Sequence, residues 1–288
     1  MSDRLLKFWR VWRGLLRARS DRLLKFWRDW RGLLLFFVIM IVFRSAVADW
    51  NQVPSGSMQP GILGGDRIVV DKLAWDLRVP FTDIRLMRWS NPERGEIVTF
   101  DNPVDGRLFI KRVVAVPGDR VEWRRDQLLI NGERATYTPL AESDLFGLMM
   151  EKPRNRRFYR EQLMGGSRVV MFKGRPGTGE WTDSPQRLFS PIKEGCAGCE
   201  LRASTAGSAL SKAICRCCNH GACSSFPPFT VPEDKYWMMG DNRDNSTDSR
   251  FIGFVDRRHI YGRAHAVAFS VGDNYWPRFR RFFTDLTN

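Results

Sequence analysis

Histidine is almost missing from this 288-residue chain, which holds His220, His259 and His265 and no others. None of them sits in a sequence setting that suggests a Ser-His-Asp triad, so a histidine base is a poor starting point for any hydrolytic reading. Cysteine is absent from the first 195 residues, and all six cysteines fall between Cys196 and Cys223. Long hydrophobic runs are equally scarce: one exists, over residues 33–43, extended past Arg44 by Ala46-Val47-Ala48. Long helical periodicity is missing outside the N-terminus, which argues against a helical bundle. Acidic residues are outnumbered, 32 against 46 Lys and Arg, leaving a net charge of +14. Such an excess suits nucleic acid or anionic lipid. No basic motif of a nucleic-acid-binding fold is present, so no nucleic-acid partner is expected.

The placement of charge favours lipid. Residues 1–32 carry ten Lys and Arg against Asp3, Asp21 and Asp29, and they stand directly before the hydrophobic run. From Gly32 to Ala48 that run has about the minimum length for a membrane span. Arg44 lies near its end, where a long side chain can snorkel to the interface, and Trp30 and Trp50 flank it as interfacial aromatics do. The rival is a cleaved signal peptide, since Ala46-Val47-Ala48 is an A-x-A-like site. The long basic segment before it argues for a retained anchor over residues 32–49. The positive-inside rule then sets residues 1–31 in the cytoplasm and everything after Asp49 outside it. Those first residues contain a duplication: residues 2–10 recur as 20–28, and Trp12-Arg13-Gly14-Leu15-Leu16 recurs as Trp30-Arg31-Gly32-Leu33-Leu34. In the first copy Leu5, Phe8, Trp9, Trp12, Leu15 and Leu16 share a helical face, the pattern of an amphipathic helix on a membrane surface. A tandem duplication without function fits as well.

Beyond the anchor the chain reads as β. Runs rich in β-branched residues recur at 67–70, 96–100, 108–116, 127–130 and 264–270. Pro117-Gly118-Asp119 and Asn131-Gly132 punctuate them, and the Asn-Gly pair favours a hairpin turn. The expected fold is mainly β: an antiparallel β domain over 50–137 and 231–272, interrupted by an inserted second domain over 138–230. One N-terminal transmembrane helix precedes it and a basic-aromatic tail over 273–288 follows. The insertion holds a basic stretch and the cysteines. Cys196-x2-Cys199 and Cys215-x2-Cys218 match a zinc-ribbon spacing, with Cys217, His220 and Cys223 left over; outside the cytoplasm disulfides fit better than zinc, and an unstructured segment is the third alternative.

Three segments carry chemistry. Pro54-Ser55-Gly56-Ser57-Met58 places a serine a few residues beyond the hydrophobic run. Phe109-Ile110-Lys111-Arg112-Val113-Val114 places a lysine in an apolar strand. The third runs Gly240-Asp241-Asn242-Arg243-Asp244-Asn245-Ser246-Thr247-Asp248-Ser249-Arg250. A serine hydroxyl needs a base, and a neutral lysine can serve. Bringing its pKa from about 10.4 to pH 7–8 takes roughly 4 kcal/mol, which burial supplies in the right direction. Lys111 fits, and Lys72 in Val69-Val70-Asp71-Lys72-Leu73 fits almost as well; composition does not separate them. The third segment could pass for a calcium loop, but Ile252 stands at its twelfth position where a bidentate Glu is needed. No metal and no cofactor is expected at the site.

These three segments, with Pro117-Gly118-Asp119, resemble in order the sequence boxes of the bacterial type I signal peptidases, a family of serine–lysine peptidases. The resemblance covers residues 44–137 and 231–270. It implies that Ser57 is the nucleophile and Lys111 the general base, with the Ser55 hydroxyl and the Ser57 N–H as oxyanion hole. It implies that Ser246 orients the lysine amine, that Asp248 and Arg250 form a supporting ion pair, and that Gly240 and Asp241 shape the backbone around the lysine. It further implies a membrane-bound endopeptidase of the bacterial inner membrane. The catalytic domain would lie on the periplasmic or extracytoplasmic side and cleave exported preproteins after small residues at −1 and −3. Its partners would be those preproteins, the lipid bilayer and the secretion translocase. Two alternatives keep the same fold: a specialised processing peptidase of a conjugation or pilus system, and a non-catalytic membrane-anchored binding module. A self-cleaving repressor is disfavoured by the hydrophobic run and the missing DNA-binding domain.

Overall fold

Runs of Ile, Val and Phe with alternating polar neighbours become strands because branched and aromatic side chains pack well on a pleated surface. The computed structural model describes residues 26–82, 84–124, 127–141, 144, 156–176, 199–201, 213–215, 225–272 and 274–286. The duplicated segment before residue 26, His220, and Cys196, Cys217, Cys218 and Cys223 lie outside them.

In chain order the strands are β1 (Ala48–Gln52), β2 (Asp66–Asp71), β3 (Asp76–Arg78), β4 (Arg85–Arg88), β5 (Ile97–Asp101) and β6 (Leu108–Ala115). Then come β7 (Arg120–Arg124), β8 (Gln127–Ile130), β9 (Glu133–Arg134), β10 (Thr136–Pro139), β11 (Arg157–Leu163) and β12 (Gly166–Phe172). The last are β13 (Cys199–Leu201), β14 (Ala213–Cys215), β15 (Ser225–Thr230), β16 (Lys235–Met239), β17 (Val255–Asp256), β18 (Ile260–Ser270) and β19 (Thr284–Asp285). The main sheet runs β1-β2-β18-β5-β6-β16-β17, with β19 beside β18, and its ladders are antiparallel. Four of the five runs read from the sequence lie on β2, β5, β6 and β18, the centre of this sheet; the fifth is β8.

Two apolar cores flank the sheet. Val53, Met58, Ile62, Ile68, Val70 and Ile97 pack with Ile110, Ala264 and Val267. Trp75, Val98, Phe100, Val113, Tyr236 and Met238 pack with Ile252, Val255 and Ile260. A third core joins Val114, Ala115, Trp237 and Met239 of the main sheet to Val121, Trp123, Leu128 and Ile130 of the four-stranded sheet β15-β7-β8-β9. Asn131 and Gly132 connect β8 to β9 with both φ angles positive (51° and 84°), as a tight hairpin turn requires. Strands β10, β11 and β12 form a further antiparallel sheet that begins at Thr136, just before the segment the sequence assigns to the insertion, and Met171 bridges back to Asn242.

Residues 26–46 form a helix, α1, whose apolar residues 33–43 face outward. Among the described residues no helix is long and apolar enough to cross a membrane. The apolar stretch between Arg31 and Arg44 rises only about 18 Å, against a hydrocarbon core of about 30 Å. The residues expected to lengthen it leave the helix: Ala46 is its last residue, and Ala48 opens β1 opposite Asp71. Val47 is held at both backbone groups, its N–H by Phe43 O and its carbonyl by Lys72 N. The Lys72 amine donates to the carbonyls of Arg44 and Ser45 and pairs with Asp49, which also takes Arg44. A cation at a helix C-terminus satisfies carbonyls that have no partner within the helix.

Candidate active site

The chain leaves β1 and folds into a tight loop before β2. Met58 and Ile62 anchor this loop in the core, and Ile62 N donates to Met58 O. Ser57 is thereby held almost buried between them and the exposed Ser55. A Cβ at Gly56 would lie 3.0 Å from the Gln59 side-chain amide, which would have to shift to admit it.

Lys111 comes from the middle of β6, opposite Val98 of β5. Its amine lies 2.7 Å from Ser57 Oγ and 2.9 Å from Ile110 O, 5.2 Å from the Phe109 ring. Burial drives its pKa down from 10.5 to about 8; the carboxylates of Asp248 and Asp241 pull the other way, and Arg250 adds to the lowering. Ser55 Oγ stands 3.3 Å from Ser57 Oγ. The competing lysine, Lys72, is occupied at the end of α1.

The third segment leaves β16 at Met239 and wraps around this pair. Gly240 has no room for a side chain: a Cβ would fall 2.5 Å from Ser57 O and 2.6 Å from Ser246 Cβ. Gly240 N donates to Asp248, whose carboxylate also takes two hydrogen bonds from the Arg250 guanidinium, both at 2.8 Å. Burial alone would push the Asp248 pKa up, but Arg250, the Gly240 N–H and Ser246 outweigh it and hold the carboxylate ionised. Asp248 also caps the short helix α2 (Ser249–Ile252) by accepting from Arg250 N. Arg250 reaches onward to Arg243 O at 2.6 Å. Ser246 is buried beside Gly240 and Asp248, and its hydroxyl makes no hydrogen bond to Lys111.

Five side chains that sequence reading gave no role complete the frame. Arg112, on the face of β6 opposite to Lys111, grips Asp241 through two hydrogen bonds of 2.9 and 2.7 Å and holds Gly95 O. Asn242 donates from its backbone to Ser57 O (3.1 Å) and from its side chain to Gly56 O (2.9 Å), tying the serine loop to the third segment. Arg243 forms a two-pronged pair with Glu161 of β11, both contacts 2.7 Å, and Arg168 of β12 joins it. Burial would raise the Glu161 pKa, yet Arg168 and Arg243 hold it at about 2. An arginine in the apolar run of β6 was the one visible signal for Arg112, and the Asp-Asn-Arg run flagged Asn242 and Arg243. Glu161 carries no sequence signal.

Among the described residues no group of three His, Cys, Asp or Glu is placed to hold a metal ion. The chemistry on offer is that of a hydroxyl facing a buried, partly neutral amine, with the surrounding loops locked by charge-assisted hydrogen bonds.

The chain as a whole is similar to known proteins. The family model described as "Signal peptidase, peptidase S26" matches residues 27–269. Signal peptidase I of Buchnera aphidicola subsp. Schizaphis graminum is 31% identical over 250 residues, covering 84% of this chain and 75% of the relative. Signal peptidase I of Aquifex aeolicus is 31% identical over 249 residues, covering 82% of each. That of Pseudomonas aeruginosa is 29% identical over 251 residues, covering 83% of this chain and 69% of the relative.

Proposed function

The chain belongs to the peptidase S26 family of signal peptidases, hydrolases that remove signal peptides, and from that premise we propose that Ser57 and Lys111 carry the reaction as nucleophile and general base. The observation that supports this is the 2.7 Å approach of the buried Lys111 amine to Ser57 Oγ. With a pKa of about 8, roughly a tenth of the amine is neutral at pH 7, some 300-fold more than at its ordinary pKa.

Neutral Lys111 takes the Ser57 proton as Oγ attacks the scissile carbonyl carbon. The tetrahedral oxyanion is received by the Ser55 hydroxyl and the Ser57 N–H. Lys111 then hands its proton to the leaving amine, and the mature protein departs with a new N-terminus. The signal peptide stays as an ester on Ser57. A water that gives its proton to Lys111 attacks that ester, Lys111 returns the proton to Ser57 Oγ as the acyl bond breaks, and the signal peptide leaves as an acid that ionises to its carboxylate in solvent. Asp248, Arg250, Gly240 and Asp241 hold the third segment in place. The resemblance assigns Ser246, which is buried beside Gly240, to orienting the lysine amine.

The substrate is the signal peptide of an exported preprotein with small residues at −1 and −3. A strand edge supports this: among the described residues β16 pairs with β6 only between Arg112 and Ala115, so the Leu108–Ile110 end of β6 has no strand partner on that side, next to Lys111. An extended peptide can add there as a strand, presenting alternate side chains to shallow sites. The N-terminal charge and α1 support an enzyme of the bacterial inner membrane, its first residues cytoplasmic, its β domain outside, and its partners the bilayer and the secretion translocase. Arg31 and Arg44 would snorkel to the two interfaces to let so short a run span.

The test is cleavage of a preprotein with Ala at −3 and −1, in detergent, by the wild type, Ser57→Ala and Lys111→Ala. Cleavage at the expected bond, lost in both variants, establishes the pair. Activity surviving in Lys111→Ala removes it from the mechanism. A folded wild type that cleaves only a pilus or conjugation subunit moves the reading to a specialised peptidase.

A further inference from the structure

The six cysteines take no part in the proposed reaction, yet all of them fall inside the insertion. Two of them lie on described strands, at the first residue of β13 and the last of β14. These strands pair antiparallel, with Cys199 opposite Cys215, Glu200 opposite Ile214 and Leu201 opposite Ala213. Residues directly opposed in such a ladder have Cα atoms about 4.5–5.5 Å apart. A disulfide spans Cα separations of about 4.4–6.8 Å. The backbone register thus sets these two cysteines at a separation that a disulfide can bridge.

The hairpin also needs a fastening. Among the described residues β13 and β14 pair with each other and with no further strand. Two strands alone are marginal in water, and hairpins are normally fixed by a tight two-residue turn or by a third strand. Here the strands are joined by residues 202–212, Arg-Ala-Ser-Thr-Ala-Gly-Ser-Ala-Leu-Ser-Lys, a long connection whose closure costs chain entropy. A covalent bond at the open end of the hairpin closes that loop in the unfolded chain as well and removes much of the cost.

We infer that Cys199 and Cys215 form a disulfide that staples the β13–β14 hairpin. The inference rests on the extracytoplasmic placement of the β domain proposed above, because disulfides persist in oxidising compartments. The bond forms by exchange with the disulfide of a thiol–disulfide oxidant. One cysteine thiolate attacks that disulfide to give a mixed disulfide. The other thiolate then attacks the protein sulfur of the mixed bond and releases the oxidant. Both cysteines have lost their protons, two electrons have passed to the oxidant, and it leaves as a dithiol. This pairing excludes a zinc ribbon, which needs Cys199 and Cys215 as thiolates. It makes residues 200–214 a side loop on the covalent path between β12 and β15, the strands on either side of the hairpin.

The test takes the full chain from bacterial membranes, with free thiols blocked by N-ethylmaleimide at lysis, and digests it with trypsin without reduction. Trypsin cuts at Lys193, Arg202, Lys212 and Arg216, which parts Cys215 from Cys217 and Cys218. Mass spectrometry is expected to find peptide 194–202 joined to peptide 213–216 until a reductant is added, with fragment spectra placing the link at Cys199 rather than Cys196. In parallel, an impermeant protease added to spheroplasts reports on which side of the membrane the β domain lies. A domain open to that protease in which Cys215 is blocked by maleimide, or linked elsewhere, overturns the inference and leaves the placement standing. Zinc retained with Cys199 and Cys215 as thiols overturns it in favour of a metal site. A shielded domain with free thiols removes the placement and this inference with it. The double change Cys199→Ser, Cys215→Ser touches none of the catalytic machinery. It is expected to leave peptide cleavage in detergent unchanged and to speed tryptic cutting of the native protein at Arg202 and Lys212 by about tenfold; an unchanged cutting rate overturns the staple.

Discussion

Lys111 is the residue on which most follows from one number. As the proposed base it works only when neutral, so kcat/KM should rise about tenfold per pH unit below its pKa and level off above about pH 8. A profile flat between pH 6 and 8 sinks this assignment. The same burial has a cost. Its folded pKa lies below the unfolded value, so the folded state binds the proton less well. The penalty grows as pH falls from 10.5 to about 8 and is constant below. Lys111→Met should therefore abolish cleavage while raising stability to denaturant at pH 7 by about 1–3 kcal/mol; an unchanged or lowered midpoint contradicts it. Gly240 gives a steric prediction. An added methyl collides with Ser57 O and Ser246, so Gly240→Ala should cost about 100-fold or more in kcat, against little change in KM. Residues at this scale were legible where chemistry demands a type. Ser57, Lys111 and the run from Gly240 to Arg250 could be singled out as candidates because a nucleophile, a base and a polar loop leave sequence signatures, but their roles came from the resemblance to the signal peptidases. The choice between Lys72 and Lys111 was not legible from composition. It depends on which lysine lies near the serine, and Lys72 goes to the carbonyls at the end of α1 instead.

At the scale of elements, the strands of the main sheet could be read because their apolar runs are long and β-branched. β3 and β4 could not: Asp76, Arg78, Arg85 and Arg88 make them look like solvated loop, and the network that buries Asp76 recruits Arg257 from far along the chain. β11 was hidden for the same reason. Arg157, Arg160 and Glu161 read as surface charge, yet Glu161 is wholly buried between Arg168 and Arg243. That pair fastens β11 and β12 to the loop that carries Asn242. Glu161→Ala leaves two guanidiniums uncompensated and should destabilise the protein by about 3–5 kcal/mol, with kcat falling because the Asn242 bonds to the serine loop loosen. The carboxylate's contribution is full above its ordinary pKa of 4.5 and disappears as pH falls toward about 2. Wild type should therefore lose stability over that window and the variant should lose less, as acid titration of the unfolding midpoint will show.

For the whole molecule the joint between α1 and the β domain sets the geometry. Lys72 and Asp49 close it. Lys72→Ala should leave cleavage of a short peptide in detergent intact and lower preprotein cleavage in vesicles several-fold, because the domain loses its fixed bearing on the helix. Equal effects in both media place the change in the fold instead. The mainly antiparallel β architecture was legible in advance. The way its pieces lean on the helix was not, since single hydrogen bonds such as Phe81 N to Ser45 Oγ leave no trace in composition.

The chain also carries, in Ala46-Val47-Ala48, the small-x-small pattern proposed above for the substrate, nine residues before its own Ser57. Digestion requires a peptide whose backbone is free to pair with the enzyme. Here that backbone is already taken. Ala46 ends the helix, Val47 is bonded at both its N–H and its carbonyl, and Ala48 is registered against Asp71. If that specificity holds, folding would shield the molecule from itself and from its sister copies for as long as the ladder between β1 and β2 stays closed.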